Sequence, residues 1–352
     1  MVPEEKAQRG LFPLKSSPHL TAPLTTPRVM LDVLIALLPV TIAAILFFRL
    51  HAIVLILASV AGAALAEWIG NRLMNKEHTL LDGSAVVTGM ILALCLPPTF
   101  PFYFAALGGA VSTGIGKMAF GGLGYNIFNP AMVGRTFLTA CFGTMMTAWI
   151  EPGTLYPIGG GDLVTAAGDV IAVTAATPLG IAKQMLAAGD PAEAAAIAAQ
   201  LPGPLRLFLG NIGGSLGETS ALAILLGSLW MLLRRTITWH IPAGVLLGAF
   251  VFGLVAWLAN PTVVADPSAH LLGGAMLFGA FIIATDPVTC PLSASGRFAF
   301  GVGVGLITML IRIVGGYPEG VMYAVLLMNA VTPFLDRWTA PRPLGLEGTS
   351  HA

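Results

Sequence analysis

Apolar residues fill long stretches of the chain, and short polar segments separate these stretches. A helix needs about 20 consecutive apolar residues to cross the hydrocarbon core of a bilayer. Prolines interrupt the ends of two stretches, the third and the eighth, and broken elements of this kind are tolerated only inside protein or beside a cavity. The pattern predicts ten membrane-spanning helices in two groups of five: 30–48, 52–70, 84–98, 101–120, 127–148, 218–234, 238–259, 270–289, 297–314 and 317–335.

The composition agrees with this pattern. Of the 352 residues, 56% are hydrophobic and only 10% are charged, whereas soluble globular proteins carry about 25% charged residues. We therefore expect an all-α integral membrane protein. The formal net charge is zero, which argues against nucleic acid as a partner. The N-terminal segment is polar, so we expect no cleaved signal peptide. Cys95, Cys141 and Cys290 have no metal-binding spacing and are interpreted as packing residues.

Lysine and arginine are unevenly divided among the segments that join the predicted spans. With the N-terminus in the cytoplasm, twelve of them fall in cytoplasmic segments, and only Arg49, Lys183 and Arg206 fall outside. Because cytoplasmic loops carry the excess of positive charge, both termini are predicted to be cytoplasmic, and the long connection between spans five and six faces outward. The predicted organisation is an N-terminal segment, a five-helix unit, the outward loop, a second five-helix unit and a tail: 1–29, 30–148, 149–217, 218–335 and 336–352.

The two five-helix units share a sequence repeat. The segment "LDGSAVVTGMILALCLPPTFP" (81–101) aligns without gaps with "LLGGAMLFGAFIIATDPVTCP" (271–291), at a constant offset of 190 positions and with seven identities. Helices five spans apart cross the membrane in opposite senses. The chain is therefore predicted to contain two inverted repeats, an arrangement in which transporters place their binding sites near the midplane between the repeats.

Ionisable side chains inside membrane spans are costly and mark functional sites by default. Asp286 immediately precedes a proline of the repeat, where a broken helix frees carbonyl groups that help to coordinate a cation. Two structural alternatives remain open. Arg312 and Glu319 can form an ion pair with each other, and Glu67 can extend its side chain to the membrane surface. The candidates for an ion pathway are Asp286, Glu67, Glu319, Arg312 and Arg135.

The longest polar connection contains the segment "DVIAVTAATPLG" (169–180). The residues after it, up to Gly189, are typical of a short helix, for which Thr177 is the N-cap and Pro178 the first helical residue. Capping alone accounts for this threonine. A helix N-terminus also binds anions, however, so it would hold a phosphate esterified to the Thr177 hydroxyl. The small residues before the threonine leave room for such a group.

The residues "TAAT" (174–177) resemble the Ser/Thr-Gly-Ala-Thr signature, on whose final threonine a flavin transferase places FMN through its phosphate. Ala175 stands where this signature usually has glycine, and Ile171 stands where its fuller form has aspartate. Longer segments resemble the NqrB/RnfD family, whose members are membrane subunits of sodium-translocating NADH:quinone oxidoreductases and of Rnf electron-transport complexes. The length, without a long N-terminal extension, favours the Rnf branch. These segments are "LDGSAVVTGMILALCLPP", "GKMAFGGLGYNIFNPAMVGR", "FGAFIIATDPVT" and "IRIVGGYPEGVMYAVLLMNAVTP".

The resemblance implies a fold like that of the ammonium and urea channels, used here for electron transfer. It implies FMN joined by a phosphoester to Thr177, with Thr174, Ala175, Ala176 and Pro178 around it. It also implies a second, non-covalent flavin such as riboflavin between the repeats. The implied activity couples oxidoreduction between NADH and ferredoxin to translocation of Na⁺ or H⁺ across a bacterial inner membrane, with the flavin loop in the periplasm.

The implied partners are the other subunits of an Rnf complex, including an outward-facing flavoprotein subunit and iron–sulfur subunits, together with the flavin transferase. The alternative is a channel or transporter for a small neutral solute, of the urea-channel type, without a cofactor. The outward loop favours the first interpretation, because a solute channel has no use for an exposed threonine that follows small residues at a helix start.

Overall fold

The computed structural model describes residues 25–76, 79–150, 152, 163–164, 170–171, 176–210 and 212–340, and nearly all regular structure in these ranges is helical. Thr174, Ala175, residues 1–24 of the predicted N-terminal segment and residues 341–352 of the predicted tail lie outside the described residues. The α-helices are α1 (Thr26–Phe48), α2 (Leu50–Leu73), α3 (Ser84–Leu94), α4 (Phe102–Gly114), α5 (Pro130–Cys141), α6 (Gly143–Met146), α7 (Pro178–Ala187), α8 (Pro191–Ala198), α9 (Pro204–Leu209), α10 (Ala221–Leu233), α11 (His240–Ala259), α12 (Pro267–Leu272), α13 (Met276–Phe278), α14 (Ala294–Ile313) and α15 (Val321–Trp338).

Three other kinds of regular element occur in the described ranges. A π-helix, Gly279–Ile283, directly continues α13. Short 3₁₀ turns cover Leu80–Asp82 and Met118–Phe120. A two-residue antiparallel pair joins β1 (Leu163–Val164) to β2 (Val170–Ile171), with Leu163 opposite Ile171.

Four helices of the described ranges, α1, α2, α11 and α14, are long and apolar enough to cross a membrane. The exposed side chains of α11 include Leu247, Val251, Val255 and Leu258. This spacing places an apolar stripe along one face of the helix, as expected for a surface in contact with lipid. The prediction of an all-α integral membrane protein is confirmed.

Close helix packing holds the bundle together. Helix α2 packs along α4, and α11 packs along α14. A Cβ on Gly109 would lie 2.1 Å from the Ser59 carbonyl oxygen, and a Cβ on Gly305 would lie 2.2 Å from the Val245 carbonyl oxygen. Small residues let the backbones of membrane helices approach closely. Helix α1 also packs on α10, and α5 on α15, so the two predicted five-helix units contact each other through their first and last helices.

Five of the predicted spans are not single helices long enough to cross a membrane. Helices α4, α5 and α10 have only 13, 12 and 13 residues, and the third and eighth spans are broken. Helix α3 has eleven residues, which makes it about 16 Å long at 1.5 Å per residue and too short for the roughly 30 Å hydrocarbon core. The prediction of one span over 270–289 is also wrong, because α12, α13 and the π-helix divide this segment. Most residues of α3 and of the π-helix are buried, as expected for broken elements in a membrane protein.

Other segments satisfy the carbonyl groups at the ends of these two broken elements. The Gly217 N–H donates to the Leu94 carbonyl oxygen at 2.6 Å. The Asn129 Nδ2 donates to the Ile283 carbonyl oxygen at 3.1 Å. Buried backbone acceptors need such partners. Residues 212–220 are all buried, so the last residues of the predicted outward loop are part of the packed interior.

The connection between α6 and α10 contains more structure than the sequence pattern predicted. The predicted helix after Thr177 is present as α7, although it ends at Ala187 rather than at Gly189. Helices α8 and α9 follow it and were not predicted. Prolines begin all three helices, which is the position where a missing backbone N–H costs least.

Candidate functional site

Thr177 is the N-cap of α7, as predicted. Its backbone is extended, with φ −71° and ψ 153°, and its Oγ1 accepts a hydrogen bond from the Gly180 N–H at 3.0 Å. Pro178 follows as the first helical residue and is buried, whereas Thr177 is half-buried and Ala176 is exposed. The cap fixes the position of the threonine oxygen on a residue that is only partly buried.

Helix α7 is docked onto the end of α14. Its residues Leu179, Ile181 and Met185 are buried. Lys183 donates from Nζ to the carbonyl oxygen of Arg312 at 3.3 Å and to that of Gly315. A lysine at a helix C-terminus satisfies free carbonyls and interacts favourably with the helix dipole. This docking places Thr177 at a defined point on the membrane-embedded part of the molecule.

Thr177 lines a cavity of about 220 Å³, which we call the Thr177 cavity. Its walls are aromatic, apolar and glycine residues from five parts of the chain, and its charged side chains come from α5 and from the segments before α10 and α15. Tyr317 and Tyr323 lie with their ring centroids 5.7 Å apart. The lining includes Arg135, Met146, Trp149, Thr177, Leu179, Gly213, Gly214, Glu218, Gly274, Tyr317, Glu319, Met322 and Tyr323.

Two ion pairs of different quality lie at the Thr177 cavity. Arg312 Nη2 lies 2.7 Å from Glu319 Oε1, and Arg312 Nη1 also donates to the His270 carbonyl oxygen at 2.6 Å. The predicted Arg312–Glu319 ion pair is therefore confirmed. Arg135 Nη2 lies 3.5 Å from Glu218 Oε1, and both side chains are 6% exposed. Charge-assisted hydrogen bonds are normally about 2.7–2.9 Å long, so this second pair is loose.

A second cavity of about 70 Å³, which we call the Lys117 cavity, lies among other residues of the bundle. Lys117 is 1% exposed, and its Nζ lies 2.8 Å from Glu67 Oε1 and 2.5 Å from Ser84 Oγ. Glu67 is fully buried, so the expectation that its side chain reaches the membrane surface is wrong; the buried Lys117 ammonium holds it inside. Thr88 and Asn129 complete the polar lining on this side.

Asp286 also lines the Lys117 cavity. This half-buried carboxylate accepts hydrogen bonds from the Val288 N–H and the Thr289 hydroxyl, each at 3.2 Å. Four ion pairs occur among the described residues, and Asp286 belongs to none of them. It therefore differs from the other four predicted ion-pathway residues, whose charges are all paired.

The structure divides the sequence-predicted site residues between the two cavities. Thr177, Pro178, Arg135 and Glu319 line the Thr177 cavity, and Arg312 reaches it through its ion pair with Glu319. Asp286 lines the other cavity, and Glu67 is connected to it through its ion pair with Lys117, so the five predicted ion-pathway residues form no single cluster. Thr174 and Ala175 lie outside the described residues.

Sequence reasoning missed two charged residues, each buried in one cavity. Lys117 was counted among the cytoplasmic loop cations, although its place between two small-residue segments, "STGIG" and "AFGG", was a signal of close packing. Glu218 was taken as the first residue of a span, and a carboxylate that opens an apolar run was the available signal. The tyrosines at 317 and 323 gave no signal, because aromatic residues are ordinary at the ends of membrane helices.

The helical bundle and its cavities define the class as an all-α integral membrane protein with space for ligands between its helices. The chain belongs to the NQR2, RnfD, RnfE family, which matches residues 13–345.

Individual relatives match over nearly their whole lengths. The D subunit of the "Proton-translocating ferredoxin:NAD(+) oxidoreductase complex" of Clostridium ljungdahlii is 37% identical over 97% of this chain and 98% of the relative. The D subunit of the "Ion-translocating oxidoreductase complex" of Stutzerimonas stutzeri is 43% identical over 90% of this chain and 92% of the relative. The protein of the same name from Escherichia coli K12 is 36% identical over 95% and 99%.

Proposed function

We propose that the chain is the D subunit of an Rnf-type complex that couples electron transfer between NADH and ferredoxin to translocation of Na⁺ or H⁺, and that it carries FMN as a phosphoester on Thr177. The relatives' names support the first part. One observation carries the second: the half-buried Thr177, whose hydroxyl oxygen is fixed by a helix cap, stands at a cavity with aromatic walls and buried charges. When bound, the flavin supplies the redox chemistry.

The size of the Thr177 cavity supports partial insertion of the flavin. Sites that enclose a whole drug-sized ligand measure about 300–1,000 Å³, whereas this cavity measures about 220 Å³. It suits the ring system of FMN rather than the whole molecule. The phosphate then remains at Thr177, where the positive end of the α7 helix dipole favours an anion. Gly213 and Gly214 contribute no side chains to the wall and leave the space open.

The attachment step is a phosphoryl transfer to the threonine oxygen. Thr177 Oγ1 forms a bond to the FMN phosphorus of a flavin dinucleotide, the bond between the two phosphates breaks, and the adenylate half leaves with the threonine proton. No electrons are transferred in this step. The extended backbone before Pro178 presents the hydroxyl to the flavin transferase.

We propose further that Asp286 is the carboxylate that handles the translocated cation. A partly exposed carboxylate without a cationic partner is available to bind a cation or a proton, whereas Glu67 and Glu319 are already neutralised by Lys117 and Arg312. Arg135, Arg312, Glu67 and Glu319 then shape the field along the pathway without carrying the ion.

A second flavin such as riboflavin between the repeats is implied by the family resemblance. The Lys117 cavity of about 70 Å³ has room for solvent or a cation and is well below the roughly 300 Å³ of ligand pockets. We therefore assign no residues to a second flavin.

The proposed membrane arrangement is two inverted five-helix repeats with cytoplasmic termini and a periplasmic flavin loop, in a bacterial inner membrane. Helices α2 and α11 begin at Leu50 and His240, which are 190 positions apart, the same offset as the sequence repeat. The proposed partners are an outward-facing flavoprotein subunit and iron–sulfur subunits. Family membership favours this proposal over a cofactor-free solute channel.

Peptide mass spectrometry tests the flavin attachment. The full-length chain is produced in cells that flavinylate other targets, purified in detergent and digested. We expect the peptide with Thr174 and Thr177 to gain the mass of one FMN less one water, and we expect Thr177→Ala to abolish this gain.

Thr139→Ala is the matched control, because Thr139 lines the same cavity from α5 and its hydroxyl bonds within its own helix. This variant should retain the flavin. An unmodified wild-type peptide, or a flavin that persists on Thr177→Ala, would rule out the proposed attachment.

A further inference from the structure

We infer that Arg135 is a positioning residue for the flavin ring: its guanidinium stabilises the negative charge that the ring gains on reduction, and the Glu218 carboxylate limits this stabilisation. The inference rests on the proposed function, because it requires the ring to lie in the Thr177 cavity. It adds a residue from α5, which the flavin-attachment motif does not include.

The geometry of Arg135 supports a role toward a ligand. The residue is 5% exposed and lines the same cavity as Thr177. Its Nη2 lies 3.5 Å from Glu218 Oε1, and its Nη1 is buried without a hydrogen-bonding partner among the described residues. A guanidinium presents five N–H donors, and leaving a buried donor unsatisfied costs about 1–3 kcal/mol or more for a charged group. A ligand with acceptor atoms in the cavity would relieve this cost.

The neighbouring Arg312 makes more hydrogen bonds than Arg135, although its Nε is also buried without a partner among the described residues. Arg312 bonds to the Glu319 carboxylate at 2.7 Å and to the carbonyl oxygens of His270 at 2.6 Å and Gly273 at 3.4 Å. Those contacts tie Arg312, in the last turn of α14, to the end of α12 and to the segment before α15. The Arg135 side chain has Glu218 and the Cys95 thiol as hydrogen-bonding neighbours, and its Nη1, which has no partner among the described residues, remains available to the cavity.

The charges around the cavity determine whether a negative charge on the reduced flavin ring is stabilised or destabilised. Arg135 and Arg312 balance Glu218 and Glu319, so the four side chains sum to zero formal charge. A ring that becomes negative beside Arg135 is stabilised, and one that becomes negative beside Glu218 is destabilised. Both side chains are buried, so these interactions are screened less than at the surface. The carbonyl-rich side of the flavin ring is the chemical feature that such a donor recognises.

A redox titration of the covalent flavin tests the inference. The full-length chain is co-produced with a flavin transferase and titrated spectroscopically in detergent, with Thr177→Ala as the optical blank. We expect Arg135→Gln to lower the reduction equilibrium constant at least tenfold, which corresponds to about 30 mV for a two-electron couple. Glu218→Gln should shift the potential in the opposite direction, and Arg135→Lys should retain most of the wild-type potential.

Arg206→Gln is the matched charge control. Arg206 is exposed and lines a neighbouring polar groove with Ala176 and Pro178, so its removal changes the net charge equally outside the Thr177 cavity. The reduction potential of the flavin in Arg206→Gln should equal the wild-type value.

The outcomes separate the inference from the proposed function. A flavin-bearing chain in which Arg135→Gln behaves like Arg206→Gln would overturn the inference and leave the attachment intact. A wild-type chain without flavin on Thr177 would overturn both. If Arg135→Gln does not fold, Glu218→Gln decides: an unchanged or lowered potential contradicts the inference.

Discussion

The two cavities are built in a similar way but differ at one position of the sequence repeat. At each one, a buried cation at or just after the end of a helix bonds to the start of a broken element. Lys117, after α4, bonds to Ser84 at the start of α3. Arg312, in the last turn of α14, bonds to the Gly273 carbonyl oxygen before α13. Each cation also has a glutamate partner, Glu67 or Glu319, at 2.8 or 2.7 Å.

The difference lies in what occupies the corresponding position of the repeat. Ser84 and Gly274 are 190 positions apart. Ser84 fills its position with a hydroxyl that bonds to Lys117. Gly274 has a φ of +67°, and a Cβ there would lie 2.3 Å from both Glu319 Oε1 and Leu179 Cδ1. The glycine therefore lets α7 pack against this end, which brings Thr177 to the cavity. At both cavities a buried cation bonds to the start of a broken element. At the Thr177 cavity, Gly274 also leaves room for Leu179 of α7.

Breaking the buried pair at the Lys117 cavity should have the largest effect on stability. Glu67→Ala leaves the Lys117 ammonium buried without its carboxylate, and loss of one partner of such a pair costs about 3–5 kcal/mol. Thermal unfolding in detergent measures the loss. The double variant Glu67→Leu/Lys117→Met should recover most of it, since two apolar residues replace both charges. A single variant with wild-type stability would show that the pair is not an anchor.

Adding one methyl group to Gly274 should disrupt the packing of α7 at the Thr177 cavity. Gly274→Ala meets both an unfavourable positive φ, which costs about 1–3 kcal/mol, and the contacts with Glu319 and Leu179. We expect α7 to undock, which exposes the chain at Lys183 to trypsin. Gly122→Ala is the matched control, because Gly122 has a φ of +109° but nothing within 4 Å of an added Cβ. Equal trypsin sensitivity of the two variants would refute the role given to Gly274.

Asn129→Ala should have a smaller effect and should act on one broken element alone. Its side chain satisfies the Ile283 carbonyl oxygen and caps α5 through the Met132 N–H at 3.2 Å, whereas backbone N–H groups satisfy the end of α3. Loss of such a cap costs about 0.5–2 kcal/mol. Hydrogen exchange should rise in residues 276–289 and remain unchanged in α3. Equal increases in both elements would contradict this division.

The smallest effect is expected where a charge pair is partly exposed. Arg234 Nε lies 3.3 Å from Asp32 Oδ1, and the Arg234 side chain is 38% exposed. Pairs open to solvent contribute about 0–1 kcal/mol. Arg234→Gln should therefore leave the unfolding temperature within a few degrees of the wild type. If Arg234→Gln lowered the unfolding temperature as much as Glu67→Ala does, exposure to solvent would not explain why the two ion pairs differ in their contribution to stability.

Much of the fold was predictable because membrane helices obey a simple rule of length and polarity. Spans such as α1 and α11 follow directly from their apolar runs. The broken elements were harder: α3 and the π-helix are as apolar as true spans, and only their burial by neighbouring segments shows that they stop inside the bundle. Residues 212–217 were assigned to the loop because glycine and serine give no hydrophobic signal.

The candidate site was predictable in part for a similar reason. Thr177 has a local signature, because a cap and a proline define a helix start. The Arg312–Glu319 pair lies within one short segment and was also predictable. The Lys117–Glu67 pair joins residues 50 positions apart, and the Arg135–Glu218 pair joins residues 83 positions apart. Pairings of that range depend on helix packing, which periodicity does not encode.

Cryo-electron microscopy of the chain in its complex tests the central claim most directly. The account predicts flavin density joined through a phosphate to Thr177 Oγ1, with its ring in the Thr177 cavity near Tyr317, Tyr323 and Arg135. Density attached to another residue, or a Thr177 cavity filled only by lipid or solvent in a preparation proven to carry the flavin, would contradict it.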